Sequence, residues 1–80
     1  MDVSKYKLKI KTHAYLRAIE RGIEPNSIES LLKNGKITRF GKHGVKFINE
    51  GKKRTIICVG ELVNTELRIF TVEVQNEKMH

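Results

Sequence analysis

Polar and apolar residues alternate at the start of the chain: Tyr6, Leu8 and Ile10 fall between Lys5, Lys7, Lys9 and Lys11. A period of two belongs to a strand with one buried face, so this stretch predicts an N-terminal strand. The period then changes. From Thr12 to Ile23, the residues Tyr15, Leu16, Ala18 and Ile19 fall on one side of a helix turning about 100° per residue. Thr12 is placed to cap that helix, and Gly22 to end it in the left-handed conformation. Pro25 suits the first turn of a second helix, in which Ile28, Leu31 and Leu32 recur at helical spacing before Asn34-Gly35 closes it.

After Gly35 the pattern is that of strands. KITRF, VKFIN, RTIICV and LRIFTVEV are rich in β-branched and aromatic residues and are separated by glycine-containing breaks. Glu50-Gly51-Lys52 reads as a tight hairpin turn and Gly60 to Thr65 as a longer connection. Helices followed by a run of strands predict an α+β fold: an N-terminal strand and an αα-hairpin packed on one face of a three- to four-stranded antiparallel sheet. The other face of that sheet is expected to stay partly open.

Composition narrows the class. Eighty residues, 39% of them apolar, support one small core, and a single domain over 1–80 is expected. The lone Cys58 cannot form an internal disulfide, which excludes a disulfide-stapled miniprotein. No apolar run approaches the roughly 18 residues of a membrane span, and the lysine-rich start lacks the apolar core of a signal peptide. A cytoplasmic protein without a membrane role is therefore expected. The net charge of +7 is concentrated in residues 1–21 and 36–54, and RNA, DNA, an acidic protein surface or anionic lipid all fit it as partner.

The residue types exclude several chemistries. His13, His43, His80 and Cys58 show no metal-ligand spacing, and no acidic cluster suggests a magnesium site, so neither metal nor cofactor is expected. No phosphate-binding loop or nucleophile elbow is present. Cys58, inside the apolar run IICV, reads as a small core residue.

What remains is the polar side of the first helix. His13, Arg17 and Arg21 stand at i, i+4 and i+8, with Glu20 beside them. A neutral imidazole can accept a proton and its charged form can return one. Two guanidinium groups can hold a phosphate and stabilise the charge of a phosphorane-like transition state. These are parts sufficient for RNA cleavage without metal. The plainer alternative is a solvated helix face with Glu20 paired to Arg17 or Arg21. Likewise the lysines of the first strand suit an edge that resists association, or one wall of a phosphate-binding surface.

The run from His13 to Ile23 resembles the opening of the small proteins grouped as domain-of-unknown-function family 4258, with its T-x-H-A-x-x-R-x-x-x-R-G-I pattern. Asn34-Gly35-Lys36-Ile37 matches the family's exit from its second helix, and Thr71-Val72 its closing strand, so the likeness spans roughly residues 8 to 74. Glu73 stands where the family often has an aromatic residue. The family is similar to the barnase–EndoU–colicin–RelE group of metal-independent ribonucleases, many of them toxins. The resemblance implies a toxin-type ribonuclease, with His13, Arg17, Arg21 and Thr71 at the site and an acidic antitoxin or immunity protein as inhibitor. Lys46, Lys52, Lys53 and Arg54, with Lys42 and His43, are the candidates for tracking the RNA backbone. Tyr15 and Phe47 are the only candidates for stacking on bases, and both read more simply as core residues. The competing expectation is a basic module that binds nucleic acid or protein without catalysis.

Overall fold

Lys11 is where the first strand becomes the first helix. Its N–H donates to the Ile69 carbonyl at 2.8 Å, the last rung joining two strands, and its backbone is extended (φ −63°, ψ 149°). The helix therefore begins one residue later, at Thr12. In this computed structural model, which describes residues 3–76, the elements run β1 (Lys7–Ile10), α1 (Thr12–Glu20), α2 (Ile28–Asn34), β2 (Lys36–Phe40), β3 (Gly44–Glu50), β4 (Arg54–Val63) and β5 (Glu66–Asn76). A short 3-10 turn at Pro25–Ser27 leads into α2. The strand anchor at Lys11 overrides the expected capping role of Thr12, and no side-chain hydrogen bond caps the helix.

The fold is α+β, with one five-stranded mixed sheet in the order β1-β5-β4-β3-β2. Strands β2 to β5 form the expected antiparallel meander. The N-terminal strand extends the same sheet by pairing parallel to β5, Lys7 opposite Glu66 through Ile10 opposite Ile69. Both helices cover one face, where Ala14, Ala18, Ile28 and Leu32 meet Val45, Phe47, Cys58, Leu67, Ile69 and Val72. α1 packs on β5 and α2 on β3.

The buried side of α1 differs from the expected one. Ala14 and Ala18 are fully buried, whereas Tyr15, Leu16 and Ile19 are 45%, 53% and 52% exposed. Two alanines one helical turn apart let the helix axis approach the strand closely, and that approach selects the small stripe over the bulky one. Arg17 and Arg21 then flank the contact on one side, and Tyr15 and Ile19 on the other.

The predicted connection at Gly60–Thr65 is mostly strand. β4 continues to Val63, and a two-residue turn at Asn64-Thr65 leads into β5, with Asn64 at φ 55°. Gly60 is not a break but a point of close approach. Val59 pairs with Thr71 while Gly60 pairs with Ile69, so Phe70 has no partner and forms a β-bulge. A Cβ on Gly60 would collide with the Arg68 carbonyl oxygen. Only glycine permits the two backbones to close up there.

Two substitutions test the helix packing and a third the bulge. Ala18→Leu should destabilise by about 1–3 kcal/mol through overpacking, while Leu16→Ala should change stability by no more than about 0.5 kcal/mol. Gly60→Ala should cost about 3 kcal/mol. Chemical denaturation measures all three; a neutral Ala18→Leu would refute the assignment of the buried stripe.

Candidate nucleic-acid cleft

β1 pairs with β5 only as far as Ile69, so residues 70–76 of β5 have β4 on one side and no described strand on the other. α1 lies over this part of β5. The polar side of the helix and the free strand edge enclose an open cleft of about 280 Å³, lined by His13, Arg17, Arg21 and the stretch from Thr71 to Gln75. The three helical residues and Thr71 that the sequence singles out thus border one cavity.

The bulge decides what β5 presents there. Before it, Leu67 and Ile69 face the core; after it, Val72 and Val74 do. Thr71, Glu73 and Gln75 therefore alternate onto the opposite sheet face, beside the free edge. Residues 71–75 thus border the cleft as a strand edge, and Phe70, 39% exposed, immediately precedes them. Sequence reasoning did not place Glu73 at this border. The readable signal was the shift from apolar 67 and 69 to apolar 72 and 74, a change of parity within one strand.

Charge distinguishes this cleft from a larger neighbour. A groove of about 340 Å³ is lined by Lys9, Lys11, Thr12, Glu66 and Arg68, but Lys9 and Arg68 are paired with carboxylates. Glu66 accepts a hydrogen bond from Arg68 Nε at 3.0 Å and pairs with Lys9 at 3.5 Å, and Arg68 also lies 3.8 Å from Glu61. The Arg68 hydrogen bond, opposed by burial and aided by Lys9, holds the Glu66 carboxyl below the usual glutamate range. In the first cleft, no described carboxylate pairs with His13, Arg17 or Arg21, and the Glu20 ion pair expected of a merely solvated face does not form. Unneutralised guanidinium groups make the smaller cavity the better anion site.

The other basic candidates separate into three places. Arg54 reaches the C-terminal end of α1, where its Nη1 lies 3.5 Å from the Arg21 carbonyl oxygen. Lys52 and Lys53 are exposed in the same β3–β4 turn. Lys46 lies on the open sheet face between Thr38 and Val59. Lys42 and His43 occupy the β2–β3 turn, at the opposite end of β3, about 20 Å away at the rise of an extended strand. Of the two aromatic candidates, Phe47 is buried in the core, and Tyr15 is half-exposed on α1.

Among the described residues, no group of three or more His, Cys, Asp or Glu side chains converges to hold a metal ion; His80 lies outside them. No described helix is long and apolar enough to cross a membrane. Comparison with known proteins adds no assignment: no family model matches, nor does any curated protein or solved structure.

Burial raises the Cys58 thiol to about 11. The native thiol should resist iodoacetamide at about pH 8 and react once the chain is unfolded. Because the unfolded thiol ionises first, near 9, the buried thiol should contribute a fall in stability as pH rises from there towards about 11. Mass spectrometry of alkylated protein and denaturation at each pH check both; rapid native labelling would contradict the burial.

Proposed function

We propose that the chain is a metal-independent endoribonuclease whose active site is the cleft between α1 and the free edge of β5. The observation that carries this reading is the bordering of one cavity by His13, by Arg17 and Arg21, which no described carboxylate neutralises, and by Thr71 on the strand edge. The resemblance of the helix to family 4258, and through it to toxin ribonucleases acting in the cytoplasm, supports the same assignment.

In this mechanism His13 accepts the proton of a ribose 2′-OH. The freed oxygen attacks the adjacent phosphorus, the P–O5′ bond breaks, and the 5′-oxygen leaves with a proton, giving a 2′,3′-cyclic phosphate and a 5′-hydroxyl. Arg17 and Arg21 hold the non-bridging oxygens and gain strength as negative charge grows on them. Thr71, on the strand edge that borders the cleft, is the proposed supporting residue. In-line displacement needs a proton taken at one end and delivered at the other: His13 takes the first, and the departing 5′-oxygen receives its proton from water. Arg54, with Lys52 and Lys53, extends the cationic path beyond Arg21 for the neighbouring phosphates. An acidic antitoxin or immunity protein would be the natural inhibitor.

The second reading is a basic module that binds RNA or protein without cleaving it. It draws on the spread of Lys42, His43 and Lys46 away from the imidazole, which serves binding over a broad surface rather than chemistry at one point.

Incubation with total RNA in EDTA separates the two. Wild-type protein should cleave, and His13→Ala should lower the rate by about 10²–10⁴-fold. Arg17→Ala should reduce the slope of log binding against log salt by about 0.7 for each phosphate it leaves unneutralised. Intact RNA at micromolar wild-type protein would leave only the binding module.

A further inference from the structure

The lateral edges of this sheet are treated differently. β1, at one end, presents Lys7 and Lys9, and β2, at the other, presents Lys36 and Arg39. Lysines on an edge discourage the pairing of a further strand. The free stretch of β5 has no such protection. Residues 70–76, Phe-Thr-Val-Glu-Val-Gln-Asn, contain no lysine, arginine or proline, and one charge in seven positions. Among the described residues, they make no backbone hydrogen bond outside the β4 ladder. Their length exceeds the five or six residues of a typical strand. Four of the seven are β-branched or aromatic, which suits strand pairing.

We propose that this edge receives an acidic extended segment of a partner protein as a sixth strand, its carboxylates meeting Arg17 and Arg21 across the cleft. Main-chain hydrogen bonds to β5 would supply affinity, and the helical cations would select the sequence. Charge identifies the occupant. A segment with glutamate or aspartate at alternate positions turns all its carboxylates to one face, and on the helix side they meet two arginines that no described carboxylate neutralises. A second copy of this chain fits poorly. Antiparallel pairing of two β5 edges about their centre would set Glu73 against Glu73 and bring both pairs of arginines to one seam. A sixth strand would also occupy the cleft from which His13 addresses RNA. That last consequence rests on the ribonuclease reading, whereas the docking does not.

The test uses the full chain, isotope-labelled, and an eight-residue peptide alternating glutamate with valine. Binding should shift the resonances of residues 70–76 and slow exchange of their outward-facing amides at least tenfold. The same peptide N-methylated at alternate residues, in one of the two registers, should bind at least tenfold more weakly, and a lysine-for-glutamate version should not bind. Equal affinity of both N-methylated forms, or shifts confined to α1, would reduce the contact to charge attraction and overturn the proposal. Edge protection that grows with protein concentration, together with a doubled mass in sedimentation, would assign the edge to a second copy and overturn it too. If the peptide protects the edge while wild-type protein leaves RNA intact, the docking stands and the ribonuclease reading fails.

Discussion

One unpaired residue, Phe70, sets the geometry on which the cleft depends. An ideal strand would carry Leu67, Ile69, Thr71 and Glu73 on one face, burying a hydroxyl and a carboxylate under α1. The bulge breaks that period, so Val72 and Val74 take the core positions and Thr71 and Glu73 turn outward. The tight approach opposite the bulge is possible because Gly60 has no side chain to meet the Arg68 carbonyl. A backbone irregularity in the longest strand thus keeps Thr71 and Glu73 out of the core under α1 and leaves residues 71–75 as a strand edge bordering the cleft. Bulges commonly re-aim side chains in this way.

A second constraint acts on the same strand. Ala14 and Ala18 allow α1 to lie close to β5, and a closely seated helix carries its flanking residues to the strand edge. With β1 ending opposite Ile69, no other described strand competes for that edge. Arg17 and Arg21 therefore border a cavity instead of pointing only into solvent. No described carboxylate pairs with them, which sets them apart from Lys9 and Arg68, restrained by Glu66 and Glu61. Proximity to a cavity and the absence of internal neutralisation together favour an anion. Net positive charge alone would have marked either groove.

The proposed chemistry and the proposed docking draw on the same features for different reasons. Phosphate transfer needs converging cations and a proton acceptor. Strand addition needs an unprotected backbone edge. A segment that satisfied the backbone while presenting carboxylates to the arginines would imitate the charge of RNA and cover His13. A single surface can in this way serve substrate and inhibitor.

The chain's residue order settled a good deal alone. Period-two alternation and β-branched runs marked every strand, Pro25 and the Ile28-Leu31-Leu32 spacing marked α2, and Gly22 ended α1 with φ 76°. The stripe of His13, Arg17 and Arg21 was equally legible, because helical periodicity is a local property. Other features were decided between distant segments. Whether Thr12 or Lys11 bounds the helix depended on a hydrogen bond to Ile69. Which side of α1 is buried depended on the fit of two alanines to β5, since periodicity reveals a helix's sides but not how closely its partner can approach. Gly60 read as a turn because its Cβ-free contact lies across the sheet, at Arg68. The chain order therefore determined the elements and the residue types available for chemistry. Tertiary packing alone chose the face, the edge and the cavity, because each is set by contacts between backbones remote in sequence.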